Sequence, residues 1–71
     1  MKRTWVDSSA ILSVGYDPDS KTLEIEFKHG GIYQYLAVPK TVFIGLMKAP
    51  SKGAYYDEKV KKPGYDFRQV G

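Results

Sequence analysis

Thr22-Leu23-Glu24-Ile25-Glu26-Phe27, then His29-Gly30-Gly31, then Ile32-Tyr33-Gln34-Tyr35-Leu36 is the stretch that decides the fold. Leu23, Ile25 and Phe27 alternate with Thr22, Glu24 and Glu26, so the first segment reads as a strand with one core side and one wet side. The glycines close a hairpin into Ile32–Leu36, and the loop length sets which side chains turn inward, because a slip of one residue swaps the faces. A two-residue loop at His29-Gly30 places Gln34 opposite Ile25 and leaves an amide to satisfy. A three-residue loop places Tyr33 opposite Phe27 and Tyr35 opposite Ile25, burying the rings while the hydroxyls reach a wetter edge. The three-residue loop is the expectation, with Tyr33 and Tyr35 mainly structural.

Working outward, Ala10–Tyr16 reads as a strand with Leu12, Val14 and Tyr16 on one face, and Asp17-Pro18-Asp19-Ser20 as a turn. Val38-Pro39 ends the sheet and starts a helix over Pro39–Ala49, because proline favours an extended predecessor and a helical first turn. Val42, Phe43, Leu46 and Met47 share one face of that helix, which is expected over Leu23, Ile25 and Phe27. Gly45 is expected to allow close approach to the sheet. Pro50 stops the helix; Ser51 and Asp57 are candidate caps for one or two short helical turns that end before Pro63-Gly64. Thr4–Val6 and Phe67–Val70 offer short edge strands. The expected fold is α+β, one domain over residues 1–71: a three- to four-stranded antiparallel meander with one main helix and a short second helical segment on one face.

Composition narrows the function. A chain of 71 residues needs large side chains for its core, and six Tyr, three Phe and one Trp supply them. The absence of Cys removes disulfide frameworks and Cys-based metal sites, fits a reducing cytosol, and makes a cytoplasmic location the expectation. No segment approaches the roughly 20 apolar residues of a membrane helix, and the residues after Met1-Lys2-Arg3 are too polar for a secretion signal. Charge is uneven: residues 1–36 hold four basic and five acidic side chains, residues 37–71 seven basic and three acidic. A basic half of this kind can attract polyanions, and it reads as well as a solvated, lysine-rich surface that aids solubility.

No nucleophile, acid or base stands at a spacing that gives it an orienting partner, so an enzyme is not expected. His29 alone makes no zinc site, Asp17-Pro18-Asp19 is turn chemistry, and Glu24 with Glu26 reads as an exposed pair protecting a strand edge. No cofactor or metal is expected. Ser51-Lys52-Gly53 before a helical turn offers amides, a hydroxyl and an ammonium to a small anion such as a nucleotide, with Tyr35 or Tyr56 as a wall. It equally reads as a cap and a tight turn. Tyr55 and Tyr56 are adjacent, so one is expected outside as a stacking surface.

The order Ser8-Ser9, Ile11, Gly15-Tyr16-Asp17, Leu23, Ile25, Phe27, Gly31, Tyr33-Gln34-Tyr35, Val38-Pro39, Ala49, Ser51-Lys52-Gly53 and Tyr56 resembles the KTSC domain. That family is named for its place at the C-terminus of some lysyl-tRNA synthetases and also occurs as small bacterial and phage proteins. The resemblance runs from about Val6 to Val60, with the family's Tyr-x-Tyr on Tyr33 and Tyr35 and its Ser-x-Gly on Ser51 and Gly53. Lys61-Lys62-Pro63-Gly64 departs from the plainer link expected before Tyr65. The synthetase context implies RNA, and tRNA in particular. The leading expectation is a weak, low-specificity RNA-binding module, with Lys48, Lys52, Lys61, Lys62 and Arg68 on phosphates and Tyr55 or Tyr56 stacking. The alternatives are a protein partner or self-association through sheet edges, and the small-nucleotide site at Ser51, Lys52 and Gly53.

Overall fold

The alternation in Thr22–Phe27 places that segment at the centre of an antiparallel sheet in the computed structural model, which describes all 71 residues. The strands are β1 (Arg3–Trp5), β2 (Ile11–Asp17), β3 (Thr22–Phe27), β4 (Ile32–Tyr35) and β5 (Phe67–Gln69), paired in chain order. Both short terminal segments pair, so the α+β meander has five strands where three or four were expected. Between β4 and β5 run α1 (Lys40–Lys48), α2 (Lys52–Tyr56) and a π-helical turn at Asp57–Lys61.

The β2–β3 turn forms as its residues dictate: Asp17 Oδ1 accepts from the Asp19 amide at 3.1 Å, and Asp17 Oδ2 from the Ser20 hydroxyl at 2.8 Å. The next loop has the expected three residues but begins one residue earlier, at Lys28, so that Phe27 N–H donates to Gly31 O. Gly30 takes the left-handed position at φ 113°. Tyr33 therefore lies opposite Ile25, and Tyr35 opposite Leu23. The tyrosines face the side expected but sit two residues out of the expected register, because a shift of two preserves the pleat.

A second correction falls on β2. The register slips between Ile11 and Ser13, so Ile11 pairs Phe27 and Leu12 is the extra residue of a bulge. Ile11, not Leu12, joins Val14 in the core. A strict alternation cannot anticipate one inserted residue where two adjacent side chains are both apolar.

Pro39 is extended and α1 starts behind it; Ala49 ends it, its amide reaching Leu46 O at 3.3 Å. Leu46 is fully buried, Val42 and Met47 pack beside it, and Phe43 stacks on Tyr16 with ring centroids 5.2 Å apart. Gly45 meets α2 rather than the sheet: a Cβ there falls 2.1 Å from the Tyr55 hydroxyl and 2.7 Å from the ring. Its missing side chain is what lets the two helices close. Ser51 caps α2, its Oγ accepting from the Ala54 amide at 3.3 Å. Asp57, the other candidate cap, instead opens the π turn in helical geometry. That turn closes with Lys62 N–H on Asp57 O and buries Val60. The buried helical residues Leu46 and Val60 join Leu23, Ile25 and Phe27 in one hydrophobic cluster. No helix is long and apolar enough to cross a membrane.

Candidate functional site

The strand period carries Phe27, Tyr33 and Tyr35 to the helix-covered face, and β5 sets Phe67 opposite Tyr35. The α2 helix and π turn bring Gly53, Tyr56, Asp57, Val60 and Lys61 against them. Between these walls lies an open cleft of about 530 Å³, bordered also by Ala10, His29, Gly64 and Tyr65. That volume lies within the ordinary range of small-ligand sites.

The cleft is an aromatic assembly. Tyr56 meets Phe27 edge-on at 5.2 Å and Tyr35 at 5.8 Å, while Tyr33 meets Phe27 at 5.7 Å. Phe67 leans over Tyr35 and Tyr33 at 5.6 and 6.0 Å and is itself 61% exposed, forming a lip. His29 lies flat on Phe27 at 5.3 Å. The Tyr35 and Tyr56 hydroxyls share a hydrogen bond of 2.6 Å. Tyr35 is only 5% exposed; its burial, and then the bond to Tyr56, push its phenol far above the usual range, so Tyr35 keeps its proton. The polar side chains of its lining are the four tyrosines Tyr33, Tyr35, Tyr56 and Tyr65, with His29, Asp57 and Lys61.

Of the residues singled out in the sequence, Tyr33, Tyr35, Gly53, Tyr56 and Lys61 meet at this cleft. The others do not. Ser51 serves as the α2 cap, and Lys52 Nζ donates to Ala49 O at 3.1 Å, holding the end of α1. Lys48 is exposed on the last turn of α1. Tyr55 lies on Gly45, so neither of the adjacent tyrosines stands outside as a free stacking ring; both are half-buried, one between helices and one on the cleft. Lys62 approaches Glu58 at 3.8 Å.

Arg68 belongs to the opposite face. Its Nε donates to Gln34 Oε1 at 2.9 Å, and Gln34 Nε2 donates to Glu24 Oε1 at 2.8 Å. Arg3 donates to Glu24 Oε2 at 2.5 Å and approaches Glu26 at 3.6 Å. One row therefore crosses the whole sheet from Arg3 over Gly15 to Glu24, Gln34 and Arg68. Gly15 is needed beneath Arg3, because a Cβ there falls 2.8 Å from Lys2 O and 3.0 Å from Arg3 Cγ. Glu24 and Glu26 are thus no exposed pair at an edge. They sit on the central strand, and Glu24 is 7% exposed. Burial pushes the Glu24 carboxyl up, but the Gln34 amide and the Arg3 guanidinium outweigh it and hold the group below the usual carboxylate range.

Sequence reasoning missed Phe67, Tyr65 and His29 as cleft residues. Tyr65-x-Phe67 repeats the two-residue spacing of Tyr33 and Tyr35, which is the signal that marks them.

Comparison with known proteins fits this architecture. The KTSC domain model matches residues 7–65. The chain is 39% identical over 70 residues to an uncharacterized protein of Stutzerimonas stutzeri, covering 99% of each. It is 44% identical over 55 residues to a lysine–tRNA ligase of Nostoc sp., a match spanning 78% of this chain and 10% of the ligase. The crystal structure of a KTSC domain protein from Yersinia pestis aligns with a TM-score of 0.91 at 47% identity, over 99% of this chain and 97% of that one. The chain belongs to the KTSC domain family.

Proposed function

We propose that this KTSC protein is a small RNA-binding module that admits an unstacked base to the aromatic cleft and holds neighbouring phosphates with the lysines of the π turn. The observation that carries this reading is the junction of two features. A cleft walled by Phe27, Tyr33, Tyr35, Tyr56 and Phe67 opens beside Lys61, and neither Lys61 nor its neighbour Lys59 has a carboxylate within ion-pair distance. Aromatic walls receive any base, since every base has a π face, at roughly 1–3 kcal/mol per stacked base. Free lysines add phosphate contacts without sequence information. The segment shared with lysine–tRNA ligases supports tRNA as the first RNA to try. Binding of this kind is weak, tolerant of sequence and steeply salt-dependent.

The test is a titration of labelled tRNA at low and moderate salt, with wild type, Phe67→Ala and Lys61→Ala. Affinity is expected to fall as salt rises. Phe67→Ala should weaken binding about tenfold through lost stacking, and Lys61→Ala should flatten the salt dependence by about one charge. An absence of binding at low salt, or binding indifferent to salt, overturns the reading.

A further inference from the structure

The tyrosine hydroxyls under the helices differ in what their protons do, inside the cleft and outside it. Tyr16 Oη donates to Val38 O at 2.5 Å, so its one proton is committed to the backbone. Tyr35 and Tyr56 hold two protons between them; one lies between the oxygens, which are 2.6 Å apart, and either hydroxyl can be its donor. The second proton has no other protein acceptor. The pair therefore presents one O–H and one lone pair side by side, and reversing the internal bond exchanges their order. Tyr35 comes from β4 and Tyr56 from the end of α2, so the sheet and the helical segment both hold this pair in place.

A neighbouring donor and acceptor, in either order, is what the Watson–Crick edge of every nucleobase offers in return. Uracil has N3–H beside its carbonyls, adenine N1 beside its amino group, and guanine and cytosine the corresponding sets. Resting on the RNA reading above, we infer that the Tyr35–Tyr56 hydroxyl pair contacts the Watson–Crick edge of the base held in the cleft. Two consequences follow from that chemistry. The site accepts only unpaired nucleotides, because base pairing occupies the same edge. It also accepts all four bases, because the pair adjusts its proton to the edge it meets. The ligand class is single-stranded RNA, such as the loops and ends of a structured RNA, with stems excluded.

Replacing both tyrosines by Phe removes the two bonded hydroxyls together, so neither is left without its partner and the fold is spared. The experiment compares wild type and the Tyr35→Phe/Tyr56→Phe protein on a short uridine oligomer and on its N3-methyluridine counterpart, in which the edge donor is gone. Thermal midpoints establish that both proteins are folded. Wild type should prefer uridine by about tenfold, and the double variant should bind both oligomers alike. As a measurement that needs no variant, wild type should bind a mixed-sequence oligomer and lose it when the complement is annealed. An equal preference in the two proteins, no preference in wild type, or undiminished binding to the duplex overturns the inference while RNA binding stands. If wild type binds no oligomer at low salt, the inference and the RNA reading fall together.

Discussion

The two faces of the sheet are made by the same strands, one residue out of step, and they end in opposite chemistry. On the covered face, Leu23, Ile25 and Tyr35 sink beneath Leu46 and Val60, and the rings left over at one end form the cleft. On the open face, the polar side chains close on one another in the row Arg3, Glu24, Gln34 and Arg68. Two arginines answer two glutamates there, so that face carries no excess of charge to draw a polyanion. The covered face ends instead in an aromatic cleft bordered by Lys61, which makes no ion pair. Exposure and available polar groups thus part company: the exposed face has its polar groups satisfied internally, and the half-buried one has hydroxyl and ammonium groups to offer.

Substitutions separate the two faces by size of effect. Leu46→Ala removes a fully buried side chain under the helices, and should lower stability by about 2–5 kcal/mol in chemical denaturation. Gly45→Ala should come next. Alanine improves the helix by up to about 1 kcal/mol, but its Cβ drives into the Tyr55 ring, and overpacking of this kind costs about 1–3 kcal/mol. A net loss is expected by thermal unfolding. A net gain would mean that α1 and α2 are not held at the spacing described.

Glu24→Gln probes the open face and should cost about 1 kcal/mol at neutral pH, since it keeps an amide partner for Gln34 but loses the charge facing Arg3. The pH dependence fixes the sign. The folded-state pKa of Glu24 is depressed, so its contribution is full above the unfolded value of about 4.3 and is lost as pH falls through the folded value. The gap between wild type and Glu24→Gln should therefore be constant at neutral pH and close in acid. Asp17, also held low by the Ser20 hydroxyl and the Asp19 amide, is present in both proteins and cancels from the difference. A gap that widens in acid would contradict the pairing with Arg3.

The covered face was largely legible in the sequence, because strand alternation and helical spacing are local properties. Leu23, Ile25, Phe27, Tyr33, Tyr35 and Leu46 all fall on the side their spacing assigns. What escaped depends on how distant segments meet. The loop start at Lys28 moved the tyrosines by two residues without changing their face, and the bulge at Leu12 exchanged one apolar neighbour for another. The cleft was partly visible, since Tyr33, Tyr35, Gly53, Tyr56 and Lys61 could be picked from motifs. Phe67 enters it only through its pairing with Tyr35, 32 positions earlier in the chain. The same strand carries Arg68 to the other face, and the end of α1 takes Lys52, so a count of cations could not show which of them share a surface.

The smallest expected effect is the one that tests the contrast between the faces most directly. Trp5 is 72% exposed on β1, opposite Ser13 and one strand from Glu26. In isolation it looks like the better stacking platform: a large ring on an open sheet with an arginine close by. Its setting argues otherwise. Arg3 is engaged by Glu24 and Glu26, and phosphates approaching the ring meet those carboxylates rather than a free cation. Trp5→Ala should therefore change stability by no more than about 0.5 kcal/mol, as for other exposed positions, and should leave tRNA affinity and its salt dependence as in wild type. Phe67→Ala, equally a loss of one exposed ring, should weaken binding about tenfold. A reversal, with Trp5→Ala weakening binding and Phe67→Ala silent, would move the RNA to the open face and leave the cleft without a role in it.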